Sequence, residues 1–187
     1  LADSYFKTGQ YALALPHLST LLSLDAQNRF AIKHSAIALE KTADTLKAIS
    51  MYEKFLKLPP EKDRADAAFH LAELYESKKF QDKAILQYEN NIKEYPQDLR
   101  NHTNLGALYY RNKNYVKARK ILETAVSFTH ATPILHKMLA QTYSAQNENP
   151  KAVQYYEIYL KSVPNDASAW KEIGTCHFAL KEYSKAI

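Results

Sequence analysis

The sequence predicts an all-α fold in which antiparallel helix hairpins stack one on the next. Three observations lead there: an arithmetic register of small residues, large apolar residues at helical spacing around them, and a composition poor in the residues that turn β-sheets. Ala14, Ala48, Ala84, Ala118, Ala152 and Ala186 follow one another at intervals of 34, 36, 34, 34 and 34 residues. The longer interval contains Pro59-Pro60-Glu61-Lys62, which reads as an extended turn. A fixed period of this length is the signature of a helical-repeat array. Twelve residues before each alanine stands a second small residue, namely Ala2, Ala36, Ala72, Gly106, Ala140 and Gly174.

Large residues complete the pattern. Tyr5, Leu39, Tyr75, Tyr109, Tyr143 and His177 lie nine before each register alanine, and Leu18, Tyr52, Tyr88, Leu122 and Tyr156 lie four after. Two antiparallel helices pack closely when small residues let the axes approach and a large residue one turn away fills the space beside them. Leu105, Leu108, Tyr109 and Asn112, then Val116, Ile121 and Leu122, show the helical spacing on either side of a break. The breaks at Thr8-Gly9-Gln10, Lys113-Asn114 and Asn147-Glu148-Asn149-Pro150 use residues that tolerate left-handed dihedrals or open a helix. Pro60, Pro96 and Pro164 are expected to end the second helix of a hairpin.

Composition narrows the class further. With 46% hydrophobic and 24% charged residues, the 187-residue chain has the make-up of a folded domain, and 3 glycines argue against a sandwich or barrel. The apolar runs are too short to span a bilayer, so no membrane span is expected. Cys176 is the single cysteine, which rules out an internal disulfide framework or a multi-cysteine metal site. The net charge of +5 reads as a solvated surface rather than a nucleic-acid track. The chain opens on Leu1 and is read as a piece of a longer protein, with a cytoplasmic address expected and a periplasmic one the alternative.

These residues resemble the tetratricopeptide repeat family, whose 34-residue helix-turn-helix unit has this alternation of small and large side chains. Trp170, Ile173, Gly174, Tyr183 and Ala186 match its pattern, as do Leu105, Gly106, Tyr109, Tyr115 and Ala118. In the family's register the chain is one repeat domain, 1–187, divided into partial repeat 1–28, repeats 29–64, 65–98, 99–132 and 133–166, and partial repeat 167–187. Three departures stand out: Ser35 where the family has leucine, and Asn91 and Tyr159 where it has a small residue. The resemblance implies a right-handed α-solenoid, no enzymatic activity, and a scaffold or adaptor that binds a partner segment in a concave groove lined by first helices.

The second, fifth, ninth and twelfth positions of a repeat share one helix face. They hold Phe30, Lys33, Ile37 and Glu40, then Asp66, Phe69, Glu73 and Glu76, an acidic set with aromatic relief. In the later repeats they hold Arg100, Thr103, Ala107 and Tyr110, then Ile134, Lys137, Gln141 and Ser144, then Ser168, Lys171, Thr175 and Phe178, without an acid. The expectation is a partner protein or peptide whose acidic end lies toward Arg100, Lys137 and Lys171. A chaperone carboxyl-terminal tail is not expected, because Gln141 and Glu172 stand where that site in the family has asparagines.

No catalytic, cofactor or metal site is expected. His34 with His70, and His102 with His136, recur in register but lack further ligands beside them. Cys176 and His177 point about 100° apart on one helix and do not form a nucleophile pair. Two other readings remain open: an RNA-binding helical repeat, and a scaffold of an envelope, secretion or polysaccharide-export machine. The last repeat has no polar capping helix, so the chain is expected to continue or to associate end to end.

Overall fold

The computed structural model describes residues 1–60, 63–182 and 184, which form eleven α-helices and no strand. The register residue Ala186, the last residue Ile187, the family-pattern residue Tyr183, and Glu61 and Lys62 of the long turn lie outside the described residues. Packing divides the chain into an N-terminal body, Leu1–Asn91, and a C-terminal body, Ile92–Ile187.

The N-terminal body contains α1 (Ala2–Lys7), α2 (Tyr11–Leu24), α3 (Arg29–Lys41), α4 (Thr45–Leu56), α5 (Arg64–Ser77) and the greater part of α6 (Gln81–Glu94). The C-terminal body contains α7 (Leu99–Arg111), α8 (Tyr115–Val126), α9 (Pro133–Ala145), α10 (Asn149–Ser162) and α11 (Ala167–Ala179). Within each body successive helices pack as hairpins, α3 on α4 and α9 on α10 most extensively.

The small-residue register is the core. Ala14, Ala48, Ala84, Ala118 and Ala152 are fully buried, and so are their large companions Leu18, Tyr88, Leu122 and Tyr156. A Cβ on Gly106 would stand 2.7 Å from Cδ2 of Leu122 and 2.9 Å from its Cγ, so α7 and α8 approach as closely as that pair permits. Two residues assigned to the apolar pattern face water instead. Asn112 is the exposed C-cap of α7, and Val116 is 64% exposed.

Every hairpin turn is built the same way. Gly9, Ala43, Lys79, Lys113, Asn147 and Lys181 have φ between 57° and 74°, and each is followed by an amide that donates to a carbonyl five residues back, such as Asp44 N to Leu39 O at 2.9 Å. This is the Schellman closure, in which a left-handed residue lets the last carbonyls of the helix find donors. The left-handed residue at the Lys113-Asn114 break is thus Lys113, not Asn114, whose side chain caps α8 by accepting from Lys117 N at 3.3 Å. Lysine or alanine holds the strained dihedral at four of the six turns, a site that composition would assign to glycine or asparagine. Helix starts use ordinary side-chain caps: Asn28, Asp44, Asp98 and Asp166 each accept a hydrogen bond from an amide of the first turn.

The three departures from the repeat pattern are absorbed in different ways. Asn91 is 1% exposed and accepts from Gln87 Nε2 at 2.8 Å. Tyr159 is 7% exposed and donates its hydroxyl to Asp166 at 2.8 Å. Ser35 is buried, and its smaller volume leaves space beside it.

Candidate partner-binding face

In the N-terminal body the candidate face runs over α3 and α5. Phe30 is 39% exposed and stacks on His34 at 3.9 Å between ring centroids. Lys33 extends to Asp63, Nζ to Oδ2 2.7 Å, and Arg29 reaches the same carboxylate at 3.2 Å, so the lysine of this face is engaged within the chain. Phe69 was expected on the face but is 8% exposed, because it turns into the core beside Ala68 and Leu71. Asp66 is exposed, while Ile37, Glu40, Glu73 and Glu76 are half-buried.

Two acids of this face, Glu40 and Glu73, lie on either hand of a single imidazole. His70 Nδ1 lies 3.4 Å from Glu40 and 3.6 Å from Glu73, and Tyr52 donates to Glu40 at 2.7 Å. Burial alone would raise the Glu40 carboxyl, but the His70 and Tyr52 contacts outweigh it and hold the group below its usual value. The Glu40 carboxylate in turn raises the pKa of His70 against the opposing effect of burial. Tyr88 repeats the Tyr52 contact one repeat on, donating to Glu76 at 3.1 Å.

In the C-terminal body the candidate residues come from α7, α9 and α11. Arg100 forks onto Asp98, Nε at 2.9 Å and Nη2 at 2.7 Å. Lys137 Nζ lies 2.6 Å from Asp166 Oδ2 and 3.1 Å from Ser168 Oγ, over the Tyr159 ring. Lys137, Ser168 and Tyr159 together hold the Asp166 carboxyl well below the usual carboxylate range. Two of the three cations expected to meet an acidic partner are therefore paired with the acids that cap α7 and α11. Lys171 is exposed and has no ion-pair partner among the described residues. Thr103, Tyr110 and Gln141 are half-buried, and Phe178 is 66% exposed. On the same helix as Phe178, Trp170 is 54% exposed and donates Nε1–H to Pro164 O at 2.8 Å.

The register histidines serve packing. His102 is 1% exposed and lies edge-on to Phe128, and His136 stacks on Tyr155. Cys176 is buried with Sγ 3.8 Å from Ser144 Oγ, while His177 points to Glu182 at 2.8 Å.

One recurring feature was not read from the sequence. Tyr75 donates to Glu53 at 2.5 Å, and Tyr143 donates to Glu123, so a tyrosine of one first helix clamps a glutamate of the preceding second helix. The glutamates Glu53, Glu89, Glu123 and Glu157 recur in the alanine register, which is the signal that could have revealed the clamp.

This architecture is an all-α fold of the helical-repeat kind. Residues 137–187 match the family model described as Tetratricopeptide repeat. The chain superposes on the C-terminal part of a TPR repeat-containing protein from Cytophaga hutchinsonii with TM-score 0.82 at 20% identity, covering 100% of this chain and 76% of that one. It superposes on MamA protein with TM-score 0.76 at 18% identity, covering 86% and 87% respectively. At these identities the likeness is one of fold. In sequence, 119 residues are 27% identical to the general transcriptional corepressor trfA of Dictyostelium discoideum, covering 63% of this chain but 9% of that protein. The family match over residues 137–187, the register and the fold of the described residues together support the class of tetratricopeptide-repeat proteins. Proteins of this class are in general interaction scaffolds rather than catalysts, and no helix among the described residues is long and apolar enough to cross a membrane.

Proposed function

We propose that the chain is a scaffold that binds a segment of another protein on the partly exposed faces of its first helices, and that the N-terminal body takes a basic segment. The observation that carries this reading is the grouping of Glu40, Asp66, Glu73 and Glu76 on α3 and α5, where Lys33 is engaged by Asp63 and His70 Nδ1 lies near both Glu40 and Glu73. Opposite charge steers encounter and fixes the register of an extended ligand.

For the C-terminal body the pairing of Arg100 with Asp98 and of Lys137 with Asp166 leaves Lys171 as the cation best placed to meet an acidic segment. That part of the reading is tested by Lys171→Glu and not by changing Lys137, whose loss would also remove the ion-pair partner of Asp166, the cap of α11.

The experiment is titration of fluorescent lysine-rich and glutamate-rich peptides into the protein at low and physiological salt. The expected result is tighter binding of the lysine-rich peptide, weakened by salt and reduced about fivefold or more by Asp66→Asn with Glu73→Gln. Binding of the glutamate-rich peptide should fall in Lys171→Glu. Equal binding of both peptides, unchanged in the variants, would overturn the reading.

A further inference from the structure

Five lysines occupy one register position, and four of them lie among the described residues: Lys47, Lys83, Lys117 and Lys151. Three of them stand over a tyrosine of the first helix of their own hairpin. Lys83 Nζ is 5.4 Å from the centroid of Tyr75, Lys117 is 5.2 Å from Tyr109, and Lys151 is 5.0 Å from Tyr143. The fourth has no such ring, because the register places Leu39 beneath Lys47.

Two more replacements fall at the same place. Where Glu53 and Glu123 receive the tyrosine hydroxyl at other joints, α2 carries Ser19. Where Leu71, Leu105, Leu139 and Ile173 fill the core, α3 carries Ser35. The three changes together open a pocket of about 440 Å³ between α2 and α4 with α3 as its floor. Leu15, Leu22 and Met51 form its apolar walls, and Lys47 stands at its rim. Ser35 is 4% exposed and lines the pocket, and its hydroxyl has no hydrogen-bond partner among the described residues.

We propose that this pocket binds the side chain of a tyrosine presented by a partner protein, whose ring completes the stack under Lys47 that the chain's own tyrosines complete under Lys83, Lys117 and Lys151. A ring presents its negative face to an ammonium group, apolar walls suit its edges, and Ser19 and Ser35 offer hydroxyls to the phenol. The contact of Lys47 with Asp44 at 2.8 Å does not compete, since Lys151 keeps Glu148 at 2.9 Å while it covers Tyr143. The proposal rests on the reading of the chain as a protein-binding scaffold, but the pocket lies between second helices and uses none of the acids of the α3–α5 face.

The test uses three probes followed by NMR: p-cresol, 4-methylcyclohexanol, and the peptide acetyl-Ala-Ala-Tyr-Ala-Ala-amide. Saturable binding of p-cresol, roughly three- to tenfold tighter than the cyclohexanol, is expected, with that preference lost in Lys47→Met. The peptide should bind at least as tightly as p-cresol. Leu39→Tyr, which supplies the missing ring from within, should abolish binding and raise Tm; Ser35→Leu serves as a second filled variant. Equal affinity for the two rings, or binding that survives both filled variants, overturns the proposal. Binding of p-cresol with exclusion of the peptide would mark a site for free phenols and overturn the protein partner. Charged-peptide binding that fails while p-cresol binds refutes only the acidic-face reading, so the two failures are distinguishable.

Discussion

Gly106 and Leu122 meet so closely that one added methyl group would stand 2.7 Å from the leucine. Leu122 is fully buried in the core cluster with Ala125, Leu135 and Leu139, so a shift of its side chain must be passed on to close-packed neighbours. Gly106→Ala should therefore lose stability, since overpacking of roughly 1–3 kcal/mol outweighs the gain in helix propensity of about 1 kcal/mol. In a Leu122→Ala background the clash is gone and the same change should stabilise. Chemical denaturation of the two singles and the double checks the reversal of sign; a loss in both backgrounds would mean the contact is not the cause.

The left-handed turn residues make a second case. Lys79 and Lys113 sit at φ 61° and 57°, a conformation that costs a non-glycine residue about 1–2 kcal/mol. Lys79→Gly and Lys113→Gly should raise stability by up to about 1 kcal/mol, because glycine's greater unfolded-state freedom offsets part of the relief. Gly9→Ala, at φ 74° with open space around it, should cost a similar amount through the backbone alone. Thermal melts of the three variants check the signs.

Tyr52 and Tyr156 share a register position but not a partner. Tyr52 donates to Glu40, whereas Ser144 stands where an acid would be and the buried Tyr156 hydroxyl has no partner among the described residues. Tyr52→Phe should cost about 1.5–3 kcal/mol, the worth of a hydrogen bond to a charged group. Tyr156→Phe should be neutral or stabilising, because it removes a buried hydroxyl that nothing satisfies. Equal losses in the two variants would show that both hydroxyls are satisfied alike.

The histidines should give the two bodies opposite responses to acid. His70 is raised by Glu40, so its contact contributes stability that is complete below the free-histidine value near 6.5 and fades as pH rises through the raised value. His102 is lowered by burial, so its packing contributes above about 6.5 and is lost as pH falls through the depressed value. Histidine proton resonances followed from pH 8 to 5 should titrate in that order, with His70 protonating first. Melts of His70→Gln should show a greater deficit at pH 5.5 than at pH 8, and His102→Gln should flatten the acid loss.

The helix pairs were legible because small residues must recur wherever two axes touch, and the buried register alanines follow that rule. The charges of the candidate face were legible only as positions. Lys33 and Lys137 lie on the expected side of α3 and α9, yet each bends to an aspartate about thirty residues on, at the start of the next first helix. A helical wheel of one helix has no means of showing a partner on another. Phe69 misled for a related reason: a face defined by spacing has edges, and a large ring near an edge gains more from the core than from water. The turn lysines were illegible because the closing hydrogen bonds, not the side chain, impose their dihedrals.

Trp170 is the chain's single tryptophan, and it projects from α11 with half of its surface in water. Its emission therefore reports on one place alone. A protein that settles on that helix will shift the spectrum to the blue, and one that docks only on the α3–α5 side will leave the colour of the light unchanged, so a cuvette and an unlabelled partner suffice to tell which end of the chain has been occupied.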